Sequence, residues 1–181
     1  MPELPEVETV VRQLDELLSN KVVTKVKILD AGVVDPKILA LVPFTIQNVI
    51  RRGKLIIISL DNDQSLLVHL RMTGHFHHLT QKSNELLPPY TKGILYLNDG
   101  SQLTHNSIRC FGGIQLKQEQ ELQEYLSKLG PEPFDIDSNT FQTMMQKYPK
   151  ANVKNKLLDQ TFLVGVGNIY AQEALYHAGI S

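Results

Sequence analysis

The residues best equipped for chemistry stand at the start of the chain. Position 2 is proline behind the initiator methionine, and trimming a methionine that precedes a small residue leaves a secondary amine. An α-amino group titrates near 7.7–8.0, so part of such an amine is neutral and nucleophilic at neutral pH. It would condense with an aldehyde to an iminium ion, covalent catalysis of the Schiff-base kind. Glu3 and Glu6 stand beside Pro2 as possible proton donors or acceptors. The alternative is plainer: Pro2 leads into a helix whose positive end the two carboxylates complement.

Four further clusters carry side chains of interest. Arg51-Arg52-Gly53-Lys54 is either a solvated strand edge or a set of phosphate ligands. His69-Leu70-Arg71-Met72-Thr73-Gly74 is followed by His75, His77 and His78. Those histidines alternate between strand faces with no carboxylate or cysteine at ligand spacing, which argues against a metal site. Met72, before a Thr-Gly turn, is a core filler or an exposed wedge. Ile108-Arg109-Cys110-Phe111-Gly112-Gly113 puts a cation and an aromatic two apart, read as one face of a strand. Packing explains that pattern, and so does a wedge that unstacks bases. In Leu163-Val164-Gly165-Val166-Gly167-Asn168-Ile169-Tyr170, glycines precede a helix start, where backbone N–H groups can face an anion such as phosphate. Around it, Lys147, Lys150, Lys154 and Lys156 outnumber Asp159 and Glu173.

These clusters need a scaffold. The 181 residues are 42% hydrophobic and 20% charged with a formal net charge of −1, a globular composition without a polybasic arm. One cysteine excludes an internal disulfide and a four-cysteine zinc site. No apolar run approaches the length of a membrane helix; Leu55–Ile58 is strand-sized, and the acidic, proline-rich start does not read as a signal peptide. Val7, Val10, Val11, Leu14, Leu17 and Leu18 predict an amphipathic first helix with Pro5 in its first turn. Strands are expected at Val22–Ile28, Thr45–Ile50, Leu55–Leu60, Ser65–Leu70, Gly93–Leu97, Gln102–Thr104 and Cys110–Leu116, with a hairpin turn at Asn98-Asp99-Gly100. Beyond Gly130-Pro131-Glu132-Pro133 the texture is helical: a helix capped by Ser138, one over Lys154–Gln160, and one over Asn168–His177 stopped by Gly179. The fold class expected is α+β. A two-sheet β-sandwich with a leading helix would occupy residues 1–130, and a second, helical domain would begin over 131–181.

Taken together, the clusters resemble one family. Met1-Pro2-Glu3-Leu4-Pro5-Glu6-Val7-Glu8 is similar to the N-terminal signature of the formamidopyrimidine-DNA glycosylase and endonuclease VIII family. Arg51–Lys54, His69–Gly74, Arg109–Gly112, Leu129–Pro133 and Leu157–Gly179 match its motifs in order. Met72, Arg109 and Phe111 resemble the intercalating trio of the formamidopyrimidine branch. The resemblance implies a helix–two-turns–helix domain after the sandwich. It implies that Pro2 attacks C1′ of a damaged nucleoside, that Glu3 helps open the sugar ring, and that Glu6 supports both. Lys54 would contact phosphates beside the lesion, with His69 and Asn168 as further phosphate ligands. Met72, Arg109 and Phe111 would fill the gap left by a flipped base, Arg109 facing the orphaned cytosine.

The expected function is base-excision repair: a bifunctional DNA glycosylase and abasic-site lyase removing 8-oxoguanine and formamidopyrimidines from double-stranded DNA. The alternative is a catalytically weak DNA-binding remnant, because the family runs on to a four-cysteine zinc finger that this sequence lacks. No cofactor or metal is therefore expected in this chain. The expected setting is the bacterial cytosol or nucleoid, as a monomer, with no membrane partner. Cys110 replaces a basic residue usual in the family, and Ser107 replaces a common aspartate. Exposed apolar surface is expected near Leu175, Tyr176 and Ile180.

Overall fold

The computed structural model describes residues 1–81 and 86–180. The first helix, α1, spans Leu4–Leu18 and buries Leu4, Val7, Val11, Leu14 and Leu18 along one stripe, as the 3.6-residue period dictates. Its wet face carries the Glu8–Arg12 pair one turn apart.

Eight antiparallel strands follow among the described residues: β1 (Val22–Ile28), β2 (Phe44–Arg52), β3 (Leu55–Leu60), β4 (Gln64–His69), β5 (His75–Leu79), β6 (Thr91–Leu97), β7 (Gln102–Asn106) and β8 (Gly113–Gln118). Their order is β5-β7-β6-β1-β2-β3-β4-β8. β1 and β2 share only the pairs Val22↔Thr45 and Val23↔Phe44, whereas β2 and β3 pair from Ile46↔Leu60 to Arg52↔Leu55. The ladder thus turns a corner at β1–β2, and its two halves enclose one core. Val23, Val26, Leu95, Leu97 and Leu103 come from one half; Val49, Ile56, Ile58, Leu66, Val68 and Ile114 come from the other. α1 adds Val7, Val11, Leu14 and Leu18 to the same core. The sandwich with its leading helix is as the sequence pattern requires.

The unbroken run Leu55–Leu60 has a specific cause. Ile56 and Ile58 face the sandwich core, while Leu55 and Ile57 face outward and meet Leu67, Leu122, Leu126 and Leu129. Leu122 and Leu126 belong to α2 (Glu119–Leu126), which covers that outer face. A strand buried on both faces loses its alternation.

Several strand ends shift by one or two residues, and other expected boundaries move for identifiable reasons. The strand expected from Cys110 begins at Gly113; residues 107–112 form a loop in which Cys110 takes φ +54°. A non-glycine residue there cannot continue an extended ladder. The helix expected to be capped by Ser138 is α3 (Ser138–Gln146), and its cap is Asp137, whose carboxylate accepts the Thr140 N–H at 2.7 Å. The helix expected over Lys154–Gln160 is α4 (Val153–Leu158), ended by Asp159, whose carboxylate turns onto the Thr161 N–H and hydroxyl. α5 covers Asn168–His177, and Gly179 (φ +66°) lets Gly179 and Ile180 close back on Tyr176 and Leu175. These helices bury Leu157, Phe162, Leu163 and Ala171 in a separate cluster. Leu175 packs half-buried against that cluster, contrary to expectation, while Tyr176 and Ile180 stay exposed. No helix among the described residues is long and apolar enough to cross a membrane.

One ion cluster joins the sheet to the helical part. The Glu132 carboxylate accepts from Arg51 at 2.7 Å, Arg52 at 3.0 Å and the Gly53 N–H at 2.7 Å. Arg51 also donates to Glu8 of α1 at 2.9 Å, and Arg52 to the Gly130 carbonyl at 2.6 Å. Arg51 and Arg52, candidates for phosphate contact in the sequence, are committed to the protein itself. Removing one partner of such a half-buried cluster leaves the other charges uncompensated. Glu132→Ala should therefore lower unfolding stability by about 2–4 kcal/mol, read from chemical denaturation.

A second liability lies in the core. His105 is 1% exposed, stacks edge to face on Phe76 with ring centroids 5.3 Å apart, and has no hydrogen-bond partner on either ring nitrogen among the described residues. Burial, with His75 adding to it, pulls its pKa from 6.5 down to about 4. Between those values the unfolded chain binds the proton and the native state does not, so stability falls as pH drops from 6.5 toward 4. His105→Phe should flatten the fall, checked by thermal melts across that range.

Candidate active site and nucleic-acid interface

The two ends of the chain meet at Glu3. Its carboxylate is 2% exposed and accepts the backbone N–H groups of Gly167 at 2.7 Å, Ile169 at 2.8 Å and Tyr170 at 3.3 Å, at the start of α5. A buried carboxylate costs several kcal/mol unless hydrogen-bonded, and a helix N-terminus supplies both donors and partial positive charge. The anion that the Gly165–Asn168 stretch holds is thus the protein's own Glu3, where the sequence suggested a phosphate. Both glycines are required by close approach. A Cβ on Gly167 would lie 2.4 Å from the Glu3 carboxyl carbon, and one on Gly165 (φ +89°) would lie 2.7 Å from Leu4. The Leu4 N–H completes the join by donating to the Gly165 carbonyl at 3.1 Å.

Glu6 reaches back to accept the Glu3 N–H at 2.8 Å and takes the Tyr170 hydroxyl at 3.0 Å. Burial works to raise the Glu6 pKa, but these two donors outweigh it and hold the carboxyl below its usual value. The Tyr170 hydroxyl is pushed up in return, chiefly by that hydrogen bond to Glu6. Tyr170 stands in the sequence motif, yet only the first turn of α5 turns its ring toward Glu6. Pro2 is half-buried at the mouth of a cavity of about 580 Å³ with Glu6, Leu70, Gly74 and Phe76. Here Met1 precedes it, so the Pro2 nitrogen is an amide.

Lys54 stands in the turn between β2 and β3. Gly53 makes that turn at φ +58°, packed so closely that a Cβ would sit 2.3 Å from Val164. Lys54 is 7% exposed and has no hydrogen-bond or ion-pair partner among the described residues. Burial lowers its pKa; Glu3 opposes and Arg71 reinforces that shift. His69, at the end of β4, is pulled down to about 4 by burial and by the nearby Arg71 and Lys54 charges. Its Nδ1 accepts the Arg71 N–H at 3.1 Å, so the neutral ring carries its proton on Nε2 and presents a donor. Arg71, at φ +53°, escaped the sequence reading although its charge acts on both neighbours.

Met72, Arg109 and Phe111 come together on the loops after β4 and before β8. The strand face proposed for Arg109 and Phe111 does not exist, because residues 107–112 leave the ladder. The guanidinium instead lies over the Phe111 ring at 4.7 Å and its Nη1 reaches the Met72 sulfur at 3.1 Å. Thr73 Oγ1 accepts the Arg109 N–H at 3.0 Å, and Ser107 Oγ accepts the Cys110 N–H at 3.1 Å. Phe111 is 60% exposed and Met72 51%, an apolar pair held out by polar loop contacts. Asn168 lies exposed at the first position of α5. Among the described residues no three of His, Cys, Asp and Glu converge as metal ligands. Cys110 alone cannot supply a four-thiolate finger.

Comparison with known proteins gives one consistent picture. Residues 1–114 match the model of the formamidopyrimidine-DNA glycosylase N-terminal domain, and residues 129–181 match that of its H2TH domain. The chain is 41% identical to a formamidopyrimidine-DNA glycosylase of Protochlamydia amoebophila over 98% of its own length and 66% of the relative's. It is 40% identical to that of Shouchella clausii over 99% and 67%. It thus spans about two thirds of the length of these relatives. Among solved structures it resembles the wild-type Lactococcus lactis Fpg protein bound to N7-benzyl-Fapy-dG DNA, with TM-score 0.89 and 30% identity, covering 99% of this chain and 68% of that one. The same protein bound to abasic-site DNA superposes at TM-score 0.88 and 30% identity, covering 99% and 68%.

A single methyl group tests the join. Gly167→Ala should displace the Glu3 carboxylate from the start of α5 and cut any Pro2-dependent turnover at least tenfold while duplex binding persists. Single-turnover rates beside binding isotherms would read both.

Proposed function

The chain belongs to the formamidopyrimidine-DNA glycosylase family, and from that premise we propose that it is a base-excision repair glycosylase and abasic-site lyase. Its substrates are oxidised purines, 8-oxoguanine and ring-opened formamidopyrimidines, in duplex DNA of the bacterial cytosol, engaged by a monomer. The observation that carries this reading is the convergence at one site of Pro2, the buried Glu3 carboxylate, Glu6 and Lys54, which has no partner among the described residues.

With Met1 removed, the Pro2 lone pair attacks C1′ and the bond from C1′ to the base breaks. The electrons leave with the base, which takes up a proton from water. The proton shed by the new C–N ammonium passes to Glu3 and on to O4′ as the C1′–O4′ bond opens, leaving an iminium. Loss of a C2′ proton then forms a C=C bond and expels the 3′ phosphate; loss of the C4′ proton expels the 5′ phosphate. Water adds to the remaining iminium, the C–N bond breaks with release of the aldehyde and a proton, and Pro2 is freed. Glu6, held ionised by Tyr170 and the Glu3 N–H, orients Glu3 and the amine. Lys54 meets phosphates flanking the lesion with its charge, and His69 and Asn168 donate to others. Met72, Arg109 and Phe111 occupy the space of the extruded nucleotide, with Arg109 toward the unpaired cytosine.

The test is borohydride trapping on duplexes carrying 8-oxoguanine or an abasic site. The expected result is an adduct on both duplexes that maps to Pro2. It should vanish in a form whose N-terminal extension keeps the Pro2 nitrogen an amide. An adduct on neither duplex from protein shown by mass to lack Met1 would overturn the catalytic reading in favour of a DNA-binding remnant. An adduct on abasic DNA alone would overturn the glycosylase half. Phe111→Ala should weaken binding to lesion duplex by about 1–3 kcal/mol, the cost of losing one stacked aromatic, and spare undamaged duplex; equal loss on both would make Phe111 a packing residue.

A further inference from the structure

A chain of net charge −1 can hold a polyanion only where its cations are locally uncompensated. Several cations are spent on the protein: Lys21 pairs with Asp99 at 2.8 Å, Lys92 with Asp30 at 3.2 Å and Lys156 with Asp159 at 2.8 Å. Lys37, Arg71 and Lys117 have no carboxylate partner among the described residues, and all three line one groove of about 580 Å³. That groove runs over the outer face of β8, between the Ala31–Lys37 segment and α2, and its other rim is His69 and Phe111. It therefore continues directly from the wedge loop and the histidine assigned to phosphate. The acids that share it are turned onto backbone: Asp35 accepts the N–H groups of Lys37 at 3.0 Å and Leu116 at 3.3 Å, and Glu121 accepts that of Gln118 at 3.1 Å.

We infer that the phosphodiester backbone of the duplex continues along this groove beyond the wedge, with Lys37, Arg71 and Lys117 neutralising phosphates there. The inference rests on the DNA-repair reading and extends its footprint to a surface outside the catalytic residues. Lys37 is exposed and Lys117 half-exposed, and neither side chain donates a hydrogen bond within the described protein, so both can be replaced without touching the core.

The experiment measures the affinity of the full chain for an undamaged duplex by fluorescence anisotropy over a range of salt concentrations. Each phosphate contact contributes about 0.9 to the slope of log K against log salt. Lys37→Ala/Lys117→Ala should flatten that slope by about 1.8 and leave borohydride trapping at saturating abasic DNA intact. The control, Lys25→Ala/Lys27→Ala on the exposed face of β1, removes the same charge elsewhere and should keep the wild-type slope. If wild type binds with a steep slope that the Lys37/Lys117 variant shares, the groove assignment fails while the repair reading stands. Equal flattening in both double variants would mean a net-charge effect and would also overturn the groove. Wild type without salt-dependent duplex binding would bring down the repair reading itself.

Discussion

Everything at the candidate site depends on a buried carboxylate placed at the start of a helix 164 residues later in the chain. The Glu3 carboxylate is out of water and needs hydrogen-bond donors to replace its lost hydration. The donors are the first N–H groups of α5, which a helix leaves unpaired in any case. Each side therefore needs the other. The requirement pins Pro2 and the first turn of α1 to the helical part of the molecule and excludes a side chain at Gly167. Pro2 and the buried Glu3 carboxyl group are thereby positioned by main-chain geometry, which does not change rotamer.

The second joint complements the first. Glu132 gathers two guanidiniums and the Gly53 N–H, so the β2–β3 turn that carries Lys54 is tied to the segment entering the helices. Glu3 secures one side of the site and Glu132 the other. Lys54 and Glu3 reach the same space through unrelated contacts, and that redundancy keeps the relative position of cation, carboxylate and N-terminus from drifting.

Charge distribution follows from the same economy. Arginines that look available in the sequence are consumed at the joint, whereas Lys54, Arg71 and Lys117 have no carboxylate partner among the described residues. Burial, reinforced by like charges close by, keeps His69 neutral well below ordinary histidine pH and holds Lys54 less basic than usual. A neutral histidine with its proton on Nε2 and an unpaired ammonium are both fitted to accept an incoming anion without first breaking a bond.

By itself the sequence determined the periodic elements and the residue types with chemical capacity. The stripe of α1 and the two-faced run Leu55–Leu60 are local patterns set by side-chain spacing, and the Asn168–His177 helix is marked by the glycine that stops it. The order of motifs was enough to reveal the family resemblance. What it could not reveal was which charges cancel. Arg51 and Arg52 read the same as Lys54 until Glu132, some eighty residues on, folds against them. The glycines before α5 read as an anion cradle, and only tertiary structure shows that the anion is Glu3. The loop at 107–112 reads as strand because alternation is blind to a single residue, Cys110, at positive φ. Hydrogen bonds between distant segments, and the desolvation that makes them necessary, are properties of the folded chain, so pairing, burial and pKa were decided there.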